Sequence, residues 1–217
     1  MKGKAWQDGK ENSKGSAWAV REKVLWKPGN MLYPVPAVMV SCGRPGEKPN
    51  IITVAWAGTV CSDPPMVSIS VRKERYSYGI IRDTGEFVVN LVTARLAAAA
   101  DFCGVKSGRD TDKFKKARLT PQLTGSFRTP GIGESPVSIC CKVAKVIPLG
   151  SHDLFLAKVA GVAVDPAYLD QAGRFRLNDA GLISYSHGEY FELGKKVGSF
   201  GYSVKKGKKG AVKRRNS

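Results

Sequence analysis

Five side chains between residues 68 and 77 have the types and the spacing that could bind a phosphate group. Apolar and polar residues alternate strictly over 67–72, which is typical of a strand whose apolar side faces a core. Two hydroxyls and a guanidinium share the opposite face, and two more hydroxyls follow where a short helix is expected to begin with unpaired N–H groups. The five are Ser68, Ser70, Arg72, Tyr76 and Ser77. The same pattern also fits a half-exposed strand with a polar outer face.

Three isolated polar residues farther along the chain are further candidates. Asn90 lies on a predicted strand, where its amide either caps a loop at the end of a sheet or addresses a ligand. His152 lies in the turn 150–153. It is either an exposed polar residue or a hydrogen-bond donor or proton relay beside a ligand, because imidazole titrates near neutrality. Lys113 follows the polar, glycine-containing loop 107–112 and is the candidate cation there.

The cysteines and histidines do not form a recognisable metal site. The chain has five cysteines and two histidines, with no C-x-x-C pair and no histidine pair at metal-ligating spacing. An odd number of cysteines does not suit a disulfide framework, and without a signal peptide it favours reduced thiols in the cytoplasm. We therefore expect no metal and a cytoplasmic location. The cysteines are Cys42, Cys61, Cys103, Cys140 and Cys141.

Motifs of several enzyme classes are absent from the sequence. Gly43, Gly46 and Lys48 do not form a P-loop, because Pro49 stands where Ser or Thr is required, and there is no Rossmann glycine fingerprint. No serine, histidine and aspartate follow one another in the context of a nucleophile elbow. If the protein is an enzyme, a bound cofactor therefore carries the chemistry.

A mainly β domain is expected to position these side chains. Short β-branched runs bounded by Gly/Pro-rich connections predict strands at 37–41, 51–57, 66–71, 86–92, 137–149, 154–164 and within 182–191. Short helices are predicted at 78–82, 94–102 and 111–117, the second with Thr93 as N-cap and Gly104 as left-handed C-cap. This content predicts an antiparallel barrel or sandwich with helices inserted between strands.

The formal net charge of +17 belongs in part to the C-terminus, because 204–217 contains seven Lys and Arg and no Asp or Glu. A tail of that composition, without apolar periodicity, is predicted to be disordered. It would attract polyanions weakly and in a salt-sensitive way, so we do not expect nucleic acid as a partner beyond weak tail contacts. No apolar run approaches the length of a membrane span, so we expect no membrane partner.

Several short segments occur in an order found in a known family. They are Pro34-x-Pro36, Asn50-Ile51-x-Thr53-x-Ala55-Trp56, Asp63-Pro64-Pro65-x-Val67-x-Ile69, Arg75-x-Ser77, Gly85-x-Phe87-x-Val89-Asn90-Leu91, Ser107-Gly108-Arg109-Asp110-x-Asp112-Lys113-Phe114 and Gly150-x-His152. In that order they resemble the flavin reductase-like, FMN-binding split-barrel proteins, a group that includes flavoredoxin and a related ferric reductase. The resemblance runs from about Met31 to Tyr190.

The resemblance implies a six-stranded antiparallel Greek-key split β-barrel with inserted short helices. It also implies a homodimer that binds FMN non-covalently near the subunit interface. Together with the charge distribution, it divides the chain into an N-terminal extension at 1–30, an FMN-binding split-barrel domain at 31–203 and a basic tail at 204–217.

The resemblance further assigns the candidate residues to parts of the flavin. Thr53, Val54, Ala55 and Trp56 would lie along the ring system, with their backbone groups reading its pyrimidine edge. The phosphate and ribityl chain would be held by Ser68, Ser70, Arg72, Tyr76 and Ser77. The residues expected to close over the ring or its dimethylbenzene side are Asn90, Cys103, Gly104, Ser107, Gly108 and Lys113. His152 would approach the ring face where a nicotinamide could stack, and is the candidate catalytic residue.

The implied activity is that of a flavin or ferric reductase. NAD(P)H would donate a hydride to the flavin N5, and the reduced flavin would pass electrons to free flavin, a ferric chelate or a redox-protein partner. The alternatives are a non-enzymatic FMN electron carrier or sensor and a basic polyanion-binding protein.

Two features depart from the family. Ser151 precedes His152 where the family often has Asp, so a carboxylate that could orient the histidine is displaced to Asp153. The family gives no role for Cys61, Cys140 or Cys141. A cysteine near a flavin could exchange electrons with it, but we expect buried inert thiols.

Overall fold

The computed structural model of the protein describes residues 21–204. The chain forms two units, of which the first ends at Met31 and the second begins at Leu32. The described part of the first unit, 21–31, contains no helix or strand. Residues 1–20 of the predicted extension, and the predicted basic tail apart from Val204, lie outside the described residues.

The second unit is mainly β with short helices, as predicted. Its strands are β1 Val35–Pro36, β2 Val38–Cys42, β3 Asn50–Val54, β4 Ala57–Ser62, β5 Pro65–Val71, β6 Glu86–Leu91, β7 Pro121–Gln122, β8 Gly131–Ile132, β9 Val137–Leu149, β10 His152–Val164, β11 Ile183–Ser186 and β12 Glu189–Glu192. Its α-helices are α1 Tyr76–Thr84, α2 Ala97–Val105 and α3 Lys113–Lys116. Short 3₁₀ turns occur at Ala94–Leu96, Pro166–Tyr168, Leu177–Ala180 and Tyr202–Val204. None of the helices within 21–204 is long and apolar enough to cross a membrane.

The main sheet has seven strands in the order β3-β2-β6-β9-β10-β5-β4, and every neighbouring pair is antiparallel. The resemblance implies six barrel strands, and this sheet has seven. The run 51–57 was predicted to be a single strand, but the chain bends at Ala55 and Trp56, and β4 then forms a hairpin with β5. The N–H of Ser70 donates to the carbonyl of Trp56 at 2.9 Å, which holds this bend against β5.

Helix α1 carries the chain from β5 across to β6, which are consecutive in sequence but not neighbours in the sheet. Gly85, with φ of 67°, ends the helix, since its N–H donates to the carbonyl of Ile81. Two buried side-chain hydrogen bonds hold α1 between distant strands. Asn50 of β3 donates to Ser77 at 2.8 Å, and Tyr78 donates to Asp153 of β10 at 2.7 Å.

Two hydrophobic clusters lie on opposite faces of β2 and β3. The cluster inside the curved sheet includes Val40, Ile69, Phe87 and Phe155, and α1 contributes to it. The second cluster packs α2 and α3 against the other face of the same strands. Strand β3 therefore has helices on both sides, and it contacts α1, α2 and α3.

The second predicted helix differs from the structure at both ends. The turn Ala94–Leu96 is 3₁₀, and α2 runs from Ala97 to Val105. Thr93 makes no capping hydrogen bond, because its backbone forms a bridge to Leu182. Gly104 lies inside the helix, where a Cβ atom would approach the Cβ of Thr53 to 3.3 Å. The glycine thus permits close packing of α2 on β3 and does not end the helix.

The predicted hairpin between the two long apolar runs is confirmed. Strands β9 and β10 pair along their whole length, and Leu149 opposes His152. The turn is tighter than the four residues predicted, since only Gly150 and Ser151 lie between the strands. Gly150 has φ of 62°, which is favourable for glycine in a two-residue turn.

Candidate functional site

A cavity of about 530 Å³ opens where β3, the start of α1 and the loop after α2 meet. The strand contributes its first residues to the wall, and the loop and α3 close the opposite side. The lining residues are Asn50, Ile52, Arg72, Glu74, Arg75, Tyr76, Ser77, Cys103, Lys106, Ser107, Gly108 and Lys113. Most of these side chains are polar, so the cavity is suited to a polar ligand.

The cavity is strongly cationic. Four basic side chains line it, and Glu74 is the single acidic one. Glu74 lies 3.6 Å from Arg72, so its charge is partly compensated by that neighbour. The basic residues are Arg72, Arg75, Lys106 and Lys113. This excess of positive charge favours an anionic ligand such as a phosphate ester.

Lys113 is the least exposed of these cations, with 3% of its surface accessible. Its Nζ donates to the backbone carbonyls of Ile51 and Cys103, each at 2.7 Å. Within the described part of the chain, Lys113 forms no ion pair with a carboxylate. Burial lowers the pKa of this ammonium from its usual range. Because an ammonium has three donors, one remains for an anion in the cavity.

The amino-terminal end of α1 lies at the cavity and also favours an anionic ligand there. No side chain caps this end and no acidic residue lies in the first turn, so the positive end of the helix dipole is not neutralised locally. Tyr76 and Ser77, the first two residues of the helix, both line the cavity. The sequence prediction of an uncapped helix start beside two hydroxyls agrees with this arrangement.

Gly108 brings the loop after α2 against β3. A Cβ atom at this position would lie 2.5 Å from Cγ of Asn50, which is far closer than two carbon atoms can approach. Only a glycine therefore allows this loop to lie against Asn50 and to close the cavity.

Cys103 contributes a buried thiol to the wall. Burial raises its pKa to about 11, and the charge of Lys113 opposes this only in part. The group is therefore a thiol near neutral pH, and it acts as a small apolar side chain and not as a nucleophile.

The structure brings together seven of the residues predicted from the sequence and places nine outside the cavity wall. Those that line the cavity are Arg72, Tyr76, Ser77, Cys103, Ser107, Gly108 and Lys113. Those that do not are Thr53, Val54, Ala55, Trp56, Ser68, Ser70, Asn90, Gly104 and His152. The first group surrounds the start of α1, whereas the second is spread over several strands and α2.

Asn90 is held in a hydrogen-bond network of the fold, and its predicted role in closing over a ligand stays a prediction. Its side chain is fully buried and forms five hydrogen bonds, so its amide has no donor or acceptor left over. Its Nδ2 donates to the carbonyls of Met39 and Val88 and to Ser41 Oγ, and its Oδ1 accepts from the Ile132 N–H and from Ser138 Oγ. Of these contacts, the one with the Ile132 N–H joins Asn90 to the segment that follows the 123–130 connection.

Thr53 and Gly104 pack against each other, and their predicted contacts with a flavin stay predictions. Thr53 Oγ1 donates to the carbonyl of Ala100 at 2.5 Å, and Gly104 packs against Thr53. Val54 belongs to the core inside the sheet. The rings of Trp56 and Tyr33 lie 6.0 Å apart at the bend before β4. The contact predicted between the backbone groups of this segment and a flavin ring stays a prediction.

The two serines of β5 lie on the face predicted from the alternation. Ile69 and Val71 are buried, whereas Ser68 and Ser70 are half-buried and Arg72 is exposed. Only Arg72, at the end of the strand, reaches the cavity wall. The serines lie farther along the strand, so they are not adjacent to the cations that surround α1.

His152 begins β10 beside the end of β5, where Asp153 is paired with Val71. Burial and the charge of Arg72 lower the pKa of the imidazole, so it is neutral near pH 7. Its Nδ1 lies 2.8 Å from Ser151 Oγ. Asp153 does not orient it, because the alternation of the strand turns this carboxylate inward to Tyr78. The serine takes the position beside the imidazole.

Five lining residues were not predicted from the sequence. Asn50 and Arg75 stand in the segments that carry the family resemblance, and Lys106 directly precedes the predicted Ser107, so a signal existed for these three. No pattern distinguished Ile52 or Glu74. The five are Asn50, Ile52, Glu74, Arg75 and Lys106.

The other titratable groups do not extend the chemistry of the cavity. Within 21–204, no cluster of His, Cys, Asp and Glu has the geometry of a metal site. All five cysteines are free, and burial raises the pKa of Cys140 and that of Cys141, the latter to about 12. These two thiols are inert, as expected, whereas Cys61 is only partly buried.

Comparisons with known proteins agree with this architecture. The structure superposes on flavoredoxin of Desulfovibrio vulgaris (Miyazaki F) with a TM-score of 0.78 and 29% identity, covering 85% of this chain and 100% of that one. The sequence is 28% identical to an NADPH-flavin oxidoreductase of Streptomyces viridifaciens, over 56% of this chain and 63% of that protein. It is 27% identical to the FMN reductase (NADH) RutF of Cronobacter sakazakii, over 49% of this chain and 64% of that protein.

The chain thus spans slightly less than two thirds of each of these two enzymes. The fold is the mainly β split barrel of flavin reductase-like proteins. The family model of the flavin reductase like domain matches residues 30–193. This match covers most of the chain, and the protein belongs to the flavin reductase like domain family.

Proposed function

We propose that this protein is an NAD(P)H-dependent flavin reductase that binds FMN non-covalently through the cationic cavity at the start of α1. The observation that carries the proposal is the buried ammonium of Lys113, which has no carboxylate partner among the described residues and lines a cavity with three other cations. A buried charge is costly unless an opposite charge approaches it. The phosphate of FMN would supply that charge.

The residues around the cavity would make different contributions to FMN binding. Tyr76 and Ser77 present hydroxyls and helix N–H groups, and Arg72 presents a guanidinium, all suited to phosphate oxygens. Gly108 and Ser107 close the cavity from the opposite loop. Asn50 holds Ser77 in place through its hydrogen bond. These roles fit the donor set that a phosphate ester requires.

The ring system would extend from the cavity along the segment 53–56. Strand β3 enters the cavity wall with Asn50 and Ile52, and the chain continues directly into this segment. Its backbone groups would face the pyrimidine edge, while Ser68 and Ser70 would contact the ribityl chain. His152, which is neutral near pH 7, would lie beside the ring face that receives a nicotinamide.

Bound FMN would supply the redox chemistry, accepting a hydride from NAD(P)H and releasing electrons to free flavin, a ferric chelate or a redox protein. The names of the relatives support this class of reaction, since two of them are called NADPH-flavin oxidoreductase and FMN reductase (NADH).

We further propose that the protein is a homodimer and that its split-barrel domain spans 31–203, with a tail on either side in the sequence. We place it in the cytoplasm, where its free thiols would stay reduced.

The absorption spectrum of the purified protein tests the cofactor, and an anaerobic titration tests the reaction. We expect a yellow protein, or an apoprotein that takes up FMN, whose flavin band bleaches on addition of NADH or NADPH. A protein that binds FMN but is not bleached by either nucleotide would be an electron carrier or sensor. A protein that neither contains nor takes up FMN would contradict the proposal.

A further inference from the structure

A second cationic depression lies beside the cavity on the outer side of α1. It has a volume of about 570 Å³, and we call it the arginine cleft. Five basic side chains and no acidic one line it, together with Tyr76, Tyr78 and Gly79. The basic residues are Arg44, Lys73, Arg75, Arg82 and Arg109.

Ion pairs neutralise only part of this charge. Arg44 and Arg82 lie 2.7 Å and 3.6 Å from the carboxylate of Asp83, and Arg44 also lies 3.5 Å from that of Glu47. Lys73 lies 3.4 Å from the buried Asp153. In the described chain, neither Arg75 nor Arg109 forms an ion pair. The cleft therefore keeps an excess of positive charge.

The cleft and the cavity adjoin each other. Arg75 and Tyr76 line both of them, so one ligand can reach from one to the other around the start of α1. The floor of the cleft is open because Gly79 has no side chain, and Nη2 of Arg44 lies 3.8 Å from the position that its Cβ would take. Arg82 covers the ring of Tyr78 at 5.7 Å and borders the cleft on the far side.

Taken alone, the cavity accounts for the single phosphate of FMN. The arginine cleft offers a second, separate set of cations at a place that an extended nucleotide would cross. Guanidinium groups pair with phosphate oxygens through parallel N–H donors, and the ring of Tyr76 between the two sites can lie against an adenine or a ribose. FAD carries a second phosphoryl group linked directly to the flavin phosphate, and NADPH carries one on its adenosine ribose, apart from its pyrophosphate.

We propose that the arginine cleft binds a phosphoryl group of an adenine dinucleotide that reaches over the start of α1 from the cavity. The inference rests on the proposed function, because it takes the cavity as the flavin phosphate site. The phosphoryl group has two possible sources with the same chemistry. It belongs either to the adenylate half of FAD, bound in place of FMN, or to the phosphorylated adenosine of NADPH.

The test compares two double variants. Arg82→Gln with Arg109→Gln removes two cations that line the cleft but not the cavity. The matched control is Arg95→Gln with Lys158→Gln, which removes the same charge at exposed positions that line neither. Quenching of flavin fluorescence gives the affinities of the apoprotein for FMN and FAD. Titration calorimetry on the FMN-loaded protein gives the affinities for NADP⁺ and NAD⁺, which do not reduce the flavin.

In the cleft variant we expect the preference for FAD over FMN, or for NADP⁺ over NAD⁺, to fall at least about tenfold, since the loss of one charge-assisted hydrogen bond already costs roughly that factor. The ratio that falls identifies the source. FMN affinity of the cleft variant should stay within about twofold of that of the control, which also shows that the variant is folded. In the wild type, the preference for the dinucleotide with the extra phosphoryl group should weaken in high salt.

Unchanged ratios with intact FMN binding would overturn this inference and leave the flavin proposal standing. The inference also fails if FMN affinity falls as much as that for the dinucleotides, because the cleft would then belong to the FMN phosphate site. Absence of FMN binding by the wild-type protein would overturn the proposed function, and this inference with it.

Discussion

Two buried asparagines of the main sheet differ in their surroundings: one is enclosed by hydrogen-bond partners, and the other lines the candidate binding cavity. Asn90 of β6 is fully enclosed and makes five hydrogen bonds to other residues of the sheet and its connections. Asn50 of β3 is also buried, at 4% exposure, but makes one side-chain hydrogen bond in the described structure, to Ser77, and lines the cationic cavity.

The difference lies in what surrounds each amide. Strand β6 lies between β2 and β9, and Gly131 brings the β8 segment so close that its Cβ would lie 2.7 Å from Ser138 Oγ, so the network of Asn90 excludes any ligand. Strand β3 is an edge strand of the sheet, where the loop at Gly108 and helix α1 contact Asn50. A ligand can reach the second amide and not the first.

The largest effect that separates the two asparagines concerns stability. Asn90→Ala should lower the free energy of unfolding by about 3 kcal/mol, because several buried partners lose their hydrogen bonds, whereas Asn50→Ala should cost about 1 kcal/mol. Urea unfolding measures both. FMN affinity of the folded Asn90 variant should equal that of the wild type, and weaker binding by this variant would contradict the structural role of Asn90.

Lys113→Met tests the cationic cavity that Asn50 lines. We expect FMN affinity to fall by about 1.5–3 kcal/mol, because the variant removes a buried charged donor beside the ligand. Fluorescence titration measures the change. Lys158→Met, on the exposed surface of β10, is the matched control and should bind FMN as the wild type does. Equal affinity in both variants would place the phosphate away from Lys113.

Gly108→Ala tests the contact between the loop and Asn50. The added Cβ would displace the loop and should weaken FMN binding by about 1–3 kcal/mol, the usual cost of overpacking. In the Asn50→Ala background the same change should cost less, since the clashing amide is gone, and a double-mutant cycle measures this coupling. Gly58→Ala, with no atom near the added Cβ, provides the control. Additive effects would show that the loop does not rest on Asn50.

Arg72→Ala should have a smaller effect than Lys113→Met. The side chain of Arg72 is 53% exposed and paired with Glu74, so solvent and its neighbour already screen the charge. We expect a loss of FMN affinity of about 1 kcal/mol or less, which weakens further in high salt. A loss as large as that of Lys113→Met would make Arg72 the principal phosphate ligand.

The smallest effect concerns the pH dependence of stability. The pKa of His152 in the folded protein lies below its ordinary value of 6.5, so its contribution to stability is present above pH 6.5 and is lost as the pH falls through the folded pKa. His152→Gln should therefore lose less stability than the wild type between pH 7.5 and pH 5, as measured by the urea midpoint. FMN affinity at pH 7.5 should not change. If the variant lost more stability than the wild type on acidification, the pKa of His152 would be raised on folding and not lowered.

The sequence predicted the strands of the sheet more accurately than the helix ends. The long hairpin of β9 and β10 and the alternation of β5 follow from local apolar patterns, which depend on a core face that each strand defines by itself. The end of α2 could not be predicted in this way. Gly104 has the residue type of a helix cap, but its close contact with Thr53 shows that packing decides its place.

What the sequence determined by itself was the mainly β architecture, the family resemblance and one half of the candidate site. Arg72, Tyr76 and Ser77 are neighbours in the chain, so their proximity at the start of α1 required no long-range information. Only the tertiary structure decided which of the two buried asparagines faces the cavity. Asn50 meets Ser77 and Gly108 across large separations in sequence, and such contacts depend on how strands and helices pack and not on local residue patterns.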